Sequence, residues 1–212
     1  MPTLLLALAL LAPTQADWKV ERAGDGIEIA SRRREGSRVR EVKVTGDVDA
    51  TPAAIYRALA DYARYPETMA YVKEARLVAT EPDGTPHVYF RVSPPVVSDR
   101  DYTLRLTLLG PGAGRSVYSV GWTPSDRGPA VRHGVVRVIV NTGAWRLEPL
   151  DGGRRTRVTY QLLTDPAGSV PPFAANMANQ KALPELFARL RQAARDPRYA
   201  DGPATGSSRR RP

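Results

Sequence analysis

Few side chains in this 212-residue chain could do covalent chemistry, and their spacing argues against a catalytic centre. The two histidines are His87, directly after Pro86, and His133, within Val131-Arg132-His133-Gly134; neither has an acid or a nucleophile at a suggestive spacing for proton transfer or acyl transfer. With no cysteine there is no thiolate, no disulfide and no soft ligand to complete a metal site around a histidine. Ser93, Ser98, Ser116, Ser119 and Ser169 lack the Gly-x-Ser-x-Gly turn that exposes a hydrolase nucleophile. Gly110-Pro111-Gly112-Ala113-Gly114 joins two strand-like segments instead of opening a helix, as a phosphate cradle would. No enzymatic activity, cofactor or metal is expected.

Two polar or amphipathic features remain. Arg100 and Asp101 are adjacent in a strand-like segment, so they point to opposite faces. Arg100 either anchors the neighbouring loop through charge-assisted hydrogen bonds or makes a polar contact at the mouth of a ligand site. Trp145 is read first as core and second as a ligand contact, since a strand tryptophan is buried in either case.

The segment from Gly168 to Arg195 bears on ligand binding. From Leu183 onward the large residues Leu183, Leu186, Phe187 and Leu190 make one helical face. Before it the apolar residues are mostly small, with Ala174, Ala175 and Ala178 around Phe173 and Met177, although this half begins at Pro171-Pro172. A helix that presents Phe173, Ala174, Met177 and Ala178 to a sheet leaves an apolar space able to hold an apolar ligand. Alternatively, Tyr102, Leu104, Leu106 or Trp145 from the strands fill it. Pro184 cannot donate to the carbonyl of Gln180, so the helix should kink there, separating an anchored half from one that can lift.

Such a helix needs a floor. Alternating apolar and polar residues mark strands at 17–22, 26–34, 38–48, 71–80, 87–93, 100–110, 115–122, 133–140, 143–150 and 155–163, separated by Gly and Pro turns. Neighbouring strands joined by short turns pair antiparallel, and nine or ten of them make one large curved sheet. A short helix interrupts them, starting near Pro52 with Asp49 or Thr51 as cap and Ile55, Leu59 and Tyr62 on one face. The closing helix, roughly 37 Å long for about 25 residues, is long enough to cross the sheet and bury its stripe on the concave face.

The ends read differently. Residues 1–16 form a signal peptide: an apolar run from Leu4 to Ala12, then Thr14-Gln15-Ala16 with cleavage after Ala16. The expected location is a bacterial periplasm or the medium, and the domain spans 17–196. Residues 197–212 read as a disordered basic tail. Residues 1–16 carry no charged side chain, so the exported chain keeps the formal +9. Export, and arginines that do not interleave with stacking aromatics, argue against nucleic acid. Ser31 to Arg34, Arg38, Arg40 and Arg209 to Arg211 fit transient contact with an anionic membrane at about 1 kcal/mol per residue, or else are solvated faces.

An ordered set of short motifs resembles the START family of lipid-transfer domains. After Pro94-Pro95 come Arg100-Asp101-Tyr102, then Gly143-Ala144-Trp145, Thr156-Arg157-Val158-Thr159-Tyr160, and Asp165-Pro166-Ala167-Gly168 with Val170-Pro171 leading into the last helix. The opening Asp25-Gly26-Ile27-Glu28-Ile29, with Arg32 or Arg33, and the helix from Asp49 also fit, so the resemblance runs from Trp18 to Arg195. It implies an α+β helix-grip fold, with a curved antiparallel sheet closed by a long C-terminal helix around an internal apolar tunnel for one lipid. The turn departs from the family's Pro-Gly-Gly-like pattern. The arginine and acid of the sterol-binding members would fall on Leu106 and near His87, which leaves a sterol-hydroxyl contact of that kind without its residues.

The expected ligand contacts are therefore Phe173, Ala174, Met177, Ala178, Tyr102, Leu104, Leu106, His87, Arg100 and Trp145. The expected function is a monomeric carrier that moves one lipid (sterol, hopanoid, phospholipid, fatty acid or quinone) between membranes. The alternatives are an enzyme on the same fold, a cyclase or hydrolase with His87 as its acid–base group, and a lipid sensor that does not transport.

Overall fold

The computed structural model describes residues 18–95, 97–112 and 116–200, and within the last helix it leaves the side chains at 172, 175 and 178–181 undescribed. The expected signal peptide at 1–16 and the tail from residue 201 onward lie outside the described residues.

The elements are β1 (Lys19–Gly24), β2 (Ile27–Arg32), β3 (Glu41–Val48), α1 (Pro52–Ala60), α2 (Tyr65–Thr68), β4 (Val72–Thr80), β5 (Pro86–Val92), β6 (Arg100–Leu109), β7 (Tyr118–Pro124), β8 (Val136–Arg137), β9 (Val140–Leu150), β10 (Arg155–Asp165) and α3 (Pro172–Ala193). Nine strands lie in the order β1-β2-β3-β10-β9-β7-β6-β5-β4, with β8 beside β6. This is the curved antiparallel sheet with a C-terminal helix that the pattern implied. Strands consecutive in sequence pair through short turns, as at β1–β2, where Asp25 and Gly26 both take positive φ (56° and 70°), the geometry a two-residue hairpin turn needs. The chain breaks this meander at α1 and α2, which carry it from β3 to the far edge at β4. That leaves β3 free to pair with β10, from Val48↔Thr156 to Val42↔Leu162.

The expected strand at 133–140 shrinks to Val136–Arg137, and it pairs parallel rather than antiparallel. The reason is partner availability. β7 pairs with β9 on one side and with residues 104–109 of β6 on the other, so only the start of β6 is left open. Val136 N–H reaches Asp99 O and Val138 N–H reaches Asp101 O, each at 2.9 Å.

Strand alternation sends Val42, Val44, Leu104, Leu106, Leu147 and Val158 to the concave face, where they join one core. The stripe Leu183, Phe187, Leu190 docks α3 on it, all three at most 3% exposed. Close approach needs Gly46, where an added Cβ would sit 3.2 Å from the Phe187 ring and 2.8 Å from Gly26 O. Of the two expected caps of α1, Thr51 serves, its Oγ1 accepting from Ala54 N at 3.2 Å, with Pro52 in the first turn. α3 continues as one 22-residue helix through Pro184.

Ordered structure runs past the boundary expected at residue 196. Pro197–Tyr199 forms a 3-10 turn, and Tyr199 is buried against α1, donating its hydroxyl to Asp61 at 2.8 Å and accepting from Arg57 Nε at 3.0 Å through its carbonyl. The aromatic ring supplies the apolar anchor that the surrounding Pro, Arg and Asp residues lack.

Candidate functional site

The site lies between α3 and the concave face. An apolar cavity of about 120 Å³ sits there, lined by Tyr160 and Leu162 of β10, Ala182, Leu183 and Leu186 of α3, and Ala70 and Tyr71 from the turn before β4. It is comparable with an engineered apolar cavity of ~150 Å³ that takes up benzene, and well below the ~300–1,000 Å³ of sites for larger ligands.

Its floor is aromatic. Trp145 packs on Tyr160 at 4.2 Å with its ring tilted by 41° and reaches Phe187 of α3 at 6.1 Å, while Trp122 stacks on Tyr160 at 5.8 Å. Gly143 makes room for Trp122, whose indole N–H donates to Asn141 Oδ1 at 2.9 Å. Farther along, Tyr102 packs on Phe90 at 5.6 Å and Phe90 on Tyr65 at 5.8 Å. Burial pushes the Tyr102 phenol up to about 12 and raises that of Tyr160 further, the mark of an apolar surrounding that disfavours the charged form.

The structure brings some of the expected residues together and separates others. Leu104, Leu106 and Trp145 are buried on the concave face, and Tyr102 is half-buried beside them. Trp145 packs on both the floor and the helix, so its first role is core. Ala174 is half-buried, and the Ala178 side chain lies outside the described residues. Phe173 and Met177 do not face the sheet: they are 72% and 49% exposed. At 3.6 residues per turn, Met177 lies about 80° round the helix from Phe187, off the stripe that docks α3. Phe173 is in the first turn, where the described tie to the sheet is Asn176, whose Oδ1 accepts from Arg40 N at 3.0 Å.

His87 is on the wrong face for a tunnel contact. Val88 and Phe90 point inward, so His87 points outward, buried between Ser125 Oγ at 2.7 Å and Glu81 Oε1 at 2.9 Å. Glu81 also binds Arg105 through both oxygens at 2.8 Å, and these partners, Arg105 first, hold its carboxyl at about 2. Nothing in the sequence marks Ser125 as a partner of His87, since 38 residues separate them. Its Oγ also accepts from Arg127 N at 3.1 Å, closing the turn after β7.

Arg100 and Asp101 divide between the faces. Asp101 is fully buried on the outer face, where it accepts from Tyr89 at 3.1 Å and from Arg137 Nε at 2.7 Å. Arg100 is on the concave side in line with Tyr102 and Leu104, 5% exposed, with Nη1 donating to Ser98 O. Of the cavity lining, Tyr160 and Leu162 carried a readable signal, the apolar alternation Val158, Tyr160, Leu162. Ala70 and Tyr71 carried none, since Tyr71 reaches the cavity through a backbone turn with φ of 65°.

Residues 48–191 match the family model described as polyketide cyclase / dehydrase and lipid transport. An uncharacterized protein of Pseudomonas aeruginosa, PA1579, is 26% identical over 183 residues, covering 84% of this chain and 87% of its own. The structure of a STAR-related lipid transfer protein fragment from Xanthomonas axonopodis is similar at 27% identity and TM-score 0.73, covering 84% of this chain and 98% of that one. Human StAR-related lipid transfer protein 5 shares the fold at 17% identity and TM-score 0.74, covering 86% and 88%.

Proposed function

Since the chain belongs to the START-like polyketide cyclase / dehydrase and lipid transport family, we propose that it is a carrier that shields one lipid under α3 and moves it between membrane surfaces. The observation that carries this reading is the apolar cavity between Ala182, Leu183 and Leu186 of α3 and the aromatic floor at Tyr160. At about 0.8 kcal/mol per buried methylene, a 16-carbon chain costs on the order of 13 kcal/mol to expose, so an apolar shelter removes most of the barrier to leaving a bilayer. A cavity of about 120 Å³ cannot enclose such a chain, so on this reading the part of α3 before Leu183 moves outward to admit one. The missing hydrogen bond from Pro184 to the carbonyl of Gln180 supports that division of the helix.

The reading includes export by the first 16 residues and docking of the arginine-rich surface on anionic lipid. The test is organic extraction and mass spectrometry of the purified protein, followed by transfer of the identified lipid between vesicles. Co-purified lipid without transfer would favour a sensor, and no lipid in a folded protein would count against both.

One contact favours a second reading, a hydrolase. Ser125, His87 and Glu81 form a hydroxyl–imidazole–carboxylate chain, with Nδ1 facing the hydroxyl and Nε2 the carboxylate. Against it, the chain is on the face away from the cavity, and Glu81 is already paired with Arg105. Hydrolysis of p-nitrophenyl butyrate that disappears in Ser125→Ala would establish the enzyme; equal background rates in both proteins would dismiss it.

A further inference from the structure

Arg100 stands out among the arginines of its neighbourhood. On β5, β6 and β8 the others each hold a carboxylate: Arg91 with Asp99 at 2.9 Å, Arg105 with Glu81 at 2.8 Å, Arg137 with Asp101 at 2.7 Å. Arg100, 5% exposed, has no carboxylate within ion-pair distance among the described residues. Its Nη1 donates to Ser98 O, while Nε is buried with no acceptor among the described residues. Burial alone acts on its pKa, downward, with no acid to oppose it. Leaving a buried charge without a partner costs several kcal/mol, and a leucine or methionine would avoid that cost.

The position fits a ligand contact. Val92 and Val136 flank Arg100 on the neighbouring strands, and Tyr102 is the next residue inward on the same face. Gly168, in the loop that leads into α3, packs beside Val136, with 3.7 Å between its Cβ position and Val136 Cγ1. Arg100 is therefore at the end of the concave face where the chain passes from the sheet to the helix. With Nη1 engaged by Ser98, the edge of the guanidinium formed by Nε and Nη2 remains, and that edge binds a carboxylate or phosphate through two parallel hydrogen bonds.

We propose that Arg100 is a headgroup site, taking the oxyanion of an anionic amphiphile, a carboxylate or a phosphate monoester, whose apolar tail lies along the concave floor. This rests on the lipid-binding reading and narrows it to acidic lipids. The bound oxyanion supplies the missing partner of the buried guanidinium, and a neutral alcohol of the same chain length leaves it without one.

The test is titration of the full chain, followed by tryptophan fluorescence, with palmitate, hexadecanol, palmitoyl lysophosphatidate and inorganic phosphate. The expected result is that palmitate or lysophosphatidate binds at least about tenfold more tightly than hexadecanol, a difference of about 1.4 kcal/mol. In Arg100→Met the preferred acid should fall to the level of hexadecanol, with hexadecanol itself unchanged, and Arg100→Lys should keep part of the preference. The preference for palmitate should also vanish as pH falls through the fatty acid's own titration. Whichever of palmitate and lysophosphatidate shows the larger Arg100-dependent gain identifies the head. Equal binding of acids and alcohol by the wild type, or a preference that survives in a folded Arg100→Met, overturns the headgroup assignment and leaves the lipid reading intact. Failure of every amphiphile to bind removes the lipid reading and this assignment together. Inorganic phosphate that binds through Arg100 without competing with the amphiphiles would make it a small-anion site and overturn the proposal. Melting curves check folding, and Arg100→Met should melt no lower than wild type; if it fails to fold, the wild-type acid-to-alcohol ratio and Arg100→Lys decide.

Discussion

Arg100 and Asp101 are consecutive in the chain yet serve opposite faces of β6: the arginine is buried on the concave side with no carboxylate partner among the described residues, and the aspartate is buried on the outer side between Tyr89 and Arg137. Alternation along the strand separates them, so the pair is not a salt bridge and its members have different tasks. Asp101 ties β6 to β5 and β8, while Arg100 is held on the concave side by the carbonyl of Ser98.

Replacing Asp101 by Ala should therefore destabilise the protein without altering ligand preference. Removing one partner of a buried ion pair costs about 3–5 kcal/mol, and Arg137 with Tyr89 would be left facing an empty position. Urea denaturation measures the loss. A change below about 1 kcal/mol would mean that the outer-face network contributes little.

Gly143→Ala should also be costly. An added Cβ would sit 2.3 Å from Gln161 O and 2.4 Å from Trp122 Cζ2, so backbone and indole would both have to shift. Overpacking of this kind costs about 1–3 kcal/mol, seen as a lower urea midpoint and altered tryptophan fluorescence.

Ala182→Trp fills the cavity beneath α3 from a half-buried position that lines it. The variant should fold and should take up less than a tenth of the lipid that wild type does, measured by mass spectrometry after extraction. Full loading in a folded variant would locate the ligand elsewhere.

The Glu81 contacts should give a pH signature. Its carboxyl is held at about 2 in the folded protein by Arg105 and His87, below its ordinary value near 4.5. A depressed folded-state pKa contributes stability that is present above the ordinary value and is lost as pH falls towards 2. Glu81→Gln should thus melt a few degrees below wild type at pH 7, and the gap should close between about pH 4 and pH 2. A gap that is independent of pH would show that the carboxylate's charge is not what stabilises the site.

The chain end supplies the last comparison. A protein ending at Ala200 should be as stable as the full chain, whereas one ending at Asp196 loses Tyr199, its hydrogen bond to Asp61 and the contact with Arg57. Burial of the ring and these bonds predict a loss of about 2–4 kcal/mol by thermal or urea melts.

The sequence by itself determined the elements and the fold class. Period-two alternation marks nearly all the strands, because each half-buried strand must place every second residue in the core. Thr51-Pro52 starts α1, and Leu183, Phe187 and Leu190 set the face that docks α3. The motif Gly143-Ala144-Trp145 was legible only as part of a family resemblance; the contact that requires its glycine is with Trp122 on the neighbouring strand, which the motif does not reveal.

What the tertiary structure decided was the partner of each polar group and which wall each apolar residue joins. His87 and Ser125 are 38 residues apart, and Trp122 and Asn141 are 19 apart. Such contacts follow from strand order and register, which local periodicity leaves open. The phase of α3 is of the same kind: small residues before Leu183 signalled missing volume, but only docking decides whether Phe173 and Met177 turn towards the sheet or towards solvent, and they turn outward. Arg100 shows the limit most plainly. Its strand parity could be read from the chain, but that it is buried with no carboxylate partner among the described residues depends on every element packed around it.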